Sequence, residues 1–334
     1  MSDKGRLTLV TGGAGFIGAN LCRALIHDGY EVLCLDNLQT ARRSNLDALR
    51  QLPGFEFVEA DVTDPLPVSV RSRADRIDRI YHLACAASPP RYQSDPEHTM
   101  LTNVVGTDNM LRLAERTGAR FLLTSTSEIY GDPLSHPQPE DYRGNVNCTG
   151  PRACYDEGKR AAEALAFDFG RLGRADVRVA RIFNTYGPFM DPGDGRVISN
   201  LVCQALRGEP LTIYGDGSQT RSFCFVGDTV RGLRLLMESE AAALEPINLG
   251  NPEELSVKDI AERVLDVTGA EVPVINRPLP IDDPLRRRPD ISRAESMLGW
   301  KPATPIGRGL PETVAWFSEE LGATSALVPA KAAE

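Results

Sequence analysis

Tyr155 and Lys159 stand four positions apart in the segment GPRACYDEGKR, a spacing that stacks both side chains on one face of a helix. A phenol loses its proton only near pH ~10, so tyrosine serves as a base at neutral pH only when a cation lies close. Lys159 supplies one such cation, and a positively charged nicotinamide ring would supply another. Ahead of this pair, residues 125–131 read STSEIYG. There Thr126 offers a hydroxyl to a sugar, and Ser127 with Glu128 sets a hydroxyl beside a carboxylate; taken alone, the same residues would equally cap the next turn. Arg221, in the glycine-flanked run GSQTRSF, carries a planar fork suited to a carboxylate or a phosphate. Arg91 and Tyr92, in SPPRYQ, are expected to approach the same ligand from a loop.

A second set of residues points to a dinucleotide. Residues 11–18 read TGGAGFIG, directly after an apolar run and directly before an amphipathic one. Glycines in that position permit a tight turn, let the backbone approach a pyrophosphate and let helix pack on strand, while free helix-end amides meet the negative charge. Gly12, Gly15, Phe16, Ile17 and Gly18 are therefore expected against the pyrophosphate. Asp36, followed by Asn37, closes the second apolar run, where a carboxylate would bind the ribose diol and repel a 2′-phosphate. That favours NAD over NADP, although Arg42 and Arg43 nearby weigh the other way. Asp61 and Val62 are expected near the adenine, and Leu83, Ala84 and Asn103 complete the expected cofactor set.

These side chains need a frame. Short β-branched runs at 7–10, 31–35, 55–59, 79–83, 121–125 and 177–182 alternate with helical patterns, of which 15–28, 99–116 and 156–172 are the clearest. Such alternation predicts an α/β fold, a Rossmann-type doubly wound parallel sheet with helices on both faces. After Ile182 the texture changes to dense Gly and Pro around a helix at 197–206, which predicts a smaller mixed α/β lobe binding substrate through its loops. Further helices are expected at 226–237, at 256–268, where Ser256 and Asp259 form a cap, and at 307–321. The expected division is 1–183 plus 222–245 for the NAD-binding domain, 184–221 plus 246–321 for the smaller lobe, and a disordered tail over 322–334.

Composition narrows the partners. The chain has 334 residues, with 37 Lys and Arg against 46 Asp and Glu, a formal charge of −9. Nucleic-acid binding depends on a basic surface, so it is disfavoured. The uncharged run 7–22 is too short and too rich in glycine for a membrane span or a signal segment. The seven cysteines are odd in number and scattered, with no CxxC or Cys/His cluster, which predicts a reducing cytoplasm and no structural metal.

The glycine spacing is GxxGxxG rather than GxGxxG, which points towards the short-chain dehydrogenase/reductases. TGGAGFIG, STSEIYGDP, GPRACYDEGKR, RIFNTYGP (181–188), DGRVISN (194–200), GSQTRSF (217–223) and NLGNPEE (248–254) together make the resemblance specific. The chain resembles the extended short-chain dehydrogenase/reductase family, in its NAD-dependent epimerase/dehydratase group of nucleotide-sugar enzymes, and within it the UDP-glucuronate decarboxylases, or UDP-xylose synthases. The similarity runs over about 7–321.

The resemblance implies NAD as cofactor and a UDP-sugar as substrate. It places Tyr155, Lys159, Thr126, Ser127, Glu128 and Arg221 in catalysis. Asn184, Arg196, Tyr214 and Gln219 are implied at the nucleotide end, and from the run Arg286, Arg287 and Arg288 it is Arg288 that is expected on the pyrophosphate. Family dehydratases carry an Asp-Glu pair where this chain has Ser127-Glu128, so dehydration lacks its acid. A homodimer is implied through the helices 99–116 and 156–172. Two other readings stand beside the decarboxylase: a nucleotide-sugar 4-epimerase, and an NAD-binding sensor or scaffold without turnover.

Overall fold

The computed structural model describes residues 7–278 and 286–322. Along the chain, β1 (Leu7–Thr11), α1 (Phe16–His27), β2 (Glu31–Asp36), α2 (Arg43–Arg50), β3 (Phe55–Glu59), α3 (Val68–Arg71) and β4 (Ile77–His82) come first. Next are α4 (Pro89–Ser94), α5 (Pro96–Leu101), a π-helical turn over Thr102–Gly106, α6 (Thr107–Thr117), β5 (Arg120–Thr126), α7 (Ala153–Arg171) and β6 (Val177–Ile182). The remainder is shorter in rhythm: β7 (Thr185–Tyr186), α8 (Val197–Leu206), β8 (Leu211–Tyr214), β9 (Thr220–Ser222), β10 (Cys224–Phe225) and α9 (Val226–Glu238). It closes with β11 (Pro246–Leu249), β12 (Glu254–Ser256), α10 (Val257–Thr268), β13 (Val274–Arg277), α11 (Ser292–Leu298) and α12 (Ile306–Leu321).

Seven strands form one parallel sheet in the order β11-β6-β5-β4-β1-β2-β3. Every residue of LTLVT in β1 is buried, which is why its neighbours lie on both sides of it. Because side chains alternate across a strand, successive residues feed opposite cores. Val10, Val32, Leu122 and Ala180 meet Leu21 and Leu25 of α1 and Leu233 and Leu236 of α9. Leu9, Leu33, Phe121 and Val179 meet Met110 and Leu113 of α6 and Ala162 and Phe169 of α7. A third core joins Leu201 and Val202 of α8, Leu211 of β8, Ile260 and Val264 of α10, and Val314 and Phe317 of α12 into the smaller lobe.

Three details differ from the sequence reading. The helix expected at 99–116 starts at Pro96 and passes through the π turn before continuing to Thr117. Residues 246–249, expected in the smaller lobe, form β11, the edge strand of the main sheet beside β6. Asn248 holds it there: its Oδ1 accepts from Tyr130 Oη at 2.8 Å, and its Nδ2 donates to the Gln138 and Asp290 carbonyls at 3.0 Å each. Ile291, Ala294 and Trp300 likewise join the main core rather than the lobe. The expected tail lies outside the described residues beyond Gly322.

Candidate active site

The order of the sheet reverses between β1 and β4, and in open α/β sheets ligands bind at the carboxyl ends of the strands beside that point. A continuous cleft of about 690 Å³ opens there and runs between sheet and smaller lobe. At its floor, the chain leaves β1 through Gly12 in a left-handed conformation (φ 70°). A Cβ at Gly12 would lie 2.7 Å from the Ala84 nitrogen, and one at Gly18 would run into the Gly12 carbonyl oxygen. No side chain caps α1 and no acidic residue stands in its first turn. Its amides are therefore left for an anionic ligand, as a pyrophosphate requires.

Asp36 ends β2 with its carboxylate accepting from Ala14 N at 3.0 Å and Leu38 N at 2.8 Å. Burial pushes its pKa up, against those amides. Asp61 gathers donors from Asn37 at 2.7 Å, Thr63 at 2.7 Å and His98 at 2.8 Å. Burial opposes its ionisation, but those donors prevail and hold its pKa at about 2. These residues, with Phe16, Ile17, Val62, Leu83 and Ala84, line one end of the cleft. The glycine cradle, the uncapped helix and the Asp36 carboxylate fit a dinucleotide.

Tyr155 and Lys159 lie in the first two turns of α7, both facing the cleft and both buried. The Lys159 ammonium donates to the Thr124 carbonyl at 2.8 Å, which fixes it beneath the end of β5. Burial lowers the pKa of Lys159 and raises that of Tyr155, whose phenol also hydrogen-bonds Thr126. Tyr92 stacks face to face on Tyr155, with ring centroids 5.1 Å apart and planes within 4°. Thr126 also caps the turn, its hydroxyl accepting from Glu128 N at 3.2 Å. His82 is buried between Thr11 and Thr107, and burial drives its pKa down to about 3, so it serves as a neutral core residue.

The end of the cleft beside Tyr155 is dominated by guanidinium groups. Glu128 is paired with Arg287, whose Nη2 lies 2.9 Å from Oε2, and with Arg152 at 2.7 Å. Burial would raise the pKa of Glu128, but Arg287, Arg152 and Arg221 outweigh it and hold the group ionised. Arg221 is fixed on β9, donating to the Thr220 carbonyl at 2.8 Å. Arg196 is held by Asp194 at 2.5 and 2.8 Å. Arg91 pairs with Asp191 at 2.7 Å, and Gln219 donates to the Tyr214 carbonyl at 2.5 Å. Arg91, Tyr92, Ser127, Asn184, Arg196, Tyr214 and Gln219 all line the cleft.

Two expected residues do not. Asn103 is buried in the π turn, where its amide donates to the Thr99 carbonyl at 3.0 Å, and it lies outside the cleft wall. Arg288 also lies away from the wall, with its side chain 3.8 Å from Glu254 and its backbone nitrogen on Gln138. Its neighbour Arg287 occupies the cleft instead. Consecutive extended residues point to opposite sides, so a one-residue error in a basic run exchanges an inward for an outward arginine. Arg152 was also missed; its place in the GPRACY segment, one helical turn before Tyr155, is the signal that could have found it.

Comparison with known proteins now adds to this geometry. The model of the NAD dependent epimerase/dehydratase family matches residues 8–250. The chain belongs to that family. Its sequence is 52% identical to UDP-glucuronic acid decarboxylase 2 of Arabidopsis thaliana over 321 residues, covering 96% of this chain and 70% of that protein. The fold is similar to the epimerase Mth375 of Methanothermobacter thermautotrophicus (TM-score 0.88, 32% identity, 95% of this chain and 94% of that one). It is also similar to the UDP-glucuronic acid 4-epimerase of Bacillus cereus solved with UDP-glucuronic acid and NAD (TM-score 0.84, 26% identity, 94% and 99%). NAD is the cofactor of the family, and the glycine turn with Asp36 is where this chain would hold it.

Proposed function

We propose that this chain is a carboxy-lyase that converts UDP-glucuronate to UDP-xylose and carbon dioxide through a 4-keto intermediate. The observation that carries the reading is the cluster of Arg152, Arg221 and Arg287 around Glu128, beside Tyr155. Guanidinium groups are the side chains best suited to a carboxylate, and a sugar carboxylate beside Tyr155 would meet them. The name of the Arabidopsis relative supports the same substrate.

NAD, which the glycine turn and Asp36 would hold, would supply a reversible hydride acceptor for carbon 4 of the glucuronosyl ring. Tyr155 takes the proton from the 4-hydroxyl, and Lys159, one helical turn on, stabilises the phenolate electrostatically. Thr126 and Ser127 position the ring. The resulting ketone is β to the carboxylate, so loss of carbon dioxide leaves electrons delocalised as an enolate. The arginines hold the departing carboxylate, with Glu128 keeping them in place, and a proton then returns to carbon 5. Asn184, Arg196, Tyr214 and Gln219 serve the UDP portion. NAD is unchanged over the cycle.

A 4-epimerase shares the Tyr155 and Lys159 pair and the transient ketone but conserves the mass of the sugar. Mass spectrometry of the protein incubated with UDP-glucuronate decides between them. UDP-xylose without net NADH is expected, and Tyr155→Phe should leave the substrate intact. A product of unchanged mass that separates from UDP-glucuronate on chromatography would establish epimerisation, and a single unchanged substrate peak despite NAD binding would establish a sensor or scaffold. We further propose a cytoplasmic homodimer. The seven free cysteines support a reducing compartment. Leu101 and Val105, exposed one turn apart, support pairing of the α5–α6 segment across a two-fold axis. No helix among the described residues is long and apolar enough to cross a membrane.

A further inference from the structure

Arg42 and Arg43 follow Asp36 closely enough to raise the possibility of binding a 2′-phosphate, and the fold treats them differently. Arg43 is exposed, whereas Arg42 is partly buried and lines the same cleft as Asp36. Arg42 is held by a residue distant in sequence: its Nη1 lies 2.6 Å from Oε2 of Glu320, near the end of α12. The same oxygen accepts from the Ser44 hydroxyl at 3.4 Å. Glu320 is largely buried, with only 14% of its side chain exposed. Arg42 shares a cleft with the β2 carboxylate, and a guanidinium there is suited to a phosphate on the adenosine ribose. Here a carboxylate from the other end of the chain already pairs with it.

We propose that Glu320 is a cofactor-specificity residue: by holding Arg42 and Ser44 and adding a second negative charge, it excludes a dinucleotide with a 2′-phosphate. Asp36 repels that phosphate from the strand side, and Glu320 denies it the cation that would compensate. The two carboxylates act on different parts of one discrimination, so the selectivity does not rest on Asp36 alone. The inference rests on the reading of the cleft as the NAD site.

The test is equilibrium dialysis of NAD with NADP as competitor, on the parent protein, Glu320→Gln, Glu320→Ala, and each of these combined with Arg42→Ala. Removing the carboxylate should shift the ratio of NADP to NAD affinity by about tenfold towards NADP, the scale of one charge-assisted contact. That shift should vanish when Arg42 is absent. Because the readout is a ratio within the binding-competent protein, partial unfolding of a variant does not imitate it. An unchanged ratio in both Glu320 variants, or a shift that persists without Arg42, overturns the proposal. A parent protein that binds neither dinucleotide overturns the cofactor reading and this inference with it.

Discussion

Asp156 follows Tyr155 on α7 and is buried with only 6% of its surface exposed, and its Oδ1 has no hydrogen-bond partner among the described residues. Burial, reinforced by the negative charge of Glu128, pushes its pKa up to about 7. In an unfolded chain the same carboxyl titrates near ~3.9. Between those values the native state holds a proton that the unfolded state has lost, so this residue makes stability fall as pH rises through the window. Asp156→Asn should remove that slope and stabilise the protein most at pH ~8, by at most about 4 kcal/mol. Calorimetric melting at pH ~5 and ~8 checks it; an equal difference from the parent at both values would refute the assignment. At this scale the sequence was legible for position: Tyr155, Lys159 and Asp36, singled out by their motifs, line one cleft. It was not legible at Arg287, because the partner, Glu128, is 159 positions away. No local pattern marks which arginine of three turns inward.

Among the elements, the turn from β1 into α1 has little tolerance for added atoms. Its two critical glycines are Gly12, which needs a positive φ, and Gly18, which needs the absence of a Cβ. Gly18→Ala should force α1 away from the turn, at a cost of about 1–3 kcal/mol. NAD affinity, followed by fluorescence titration, should fall together with thermal stability. Full affinity with an unaltered melting temperature would mean that the turn relaxes freely. This element and the strands from β1 to β6 could be read from apolar runs and glycine punctuation, because a strand buried on both faces writes itself as an unbroken apolar stretch. β11 could not: it is four residues long and begins with proline, and its place in the sheet depends on Asn248 reaching Tyr130, Gln138 and Asp290. Asn103 misled for the opposite reason. Expected in the cofactor set, it lies off the cleft wall, and its amide satisfies the backbone of its own preceding turn.

For the molecule as a whole, the net charge of −9 and the arginine-rich cleft belong together. Acidic groups spread over the body favour solubility, while the site concentrates cations suited to a polyanionic sugar nucleotide. Rising salt should therefore weaken substrate binding more than it weakens the fold. The proposed dimer is checked by light scattering, which should report the mass of two chains. Replacing Leu101 and Val105 together with lysine should yield the mass of one chain; an unchanged mass would place the interface elsewhere.

The edge strand β11 also bears on how the protein is made. A ribosome delivers β6 well before β11, and the intervening residues build much of the smaller lobe. Until residues 246–249 emerge, β6 is an open sheet edge, and such edges recruit foreign strands. Arg287 emerges later still, so Glu128 waits for its main partner until long after β6 and β11 have been made. A fragment ending at 183 would carry the NAD turn and the Tyr155–Lys159 pair but neither the closing strand nor the balancing charge. A chain divided at 183 is therefore expected to expose β6 and to leave Glu128 without Arg287.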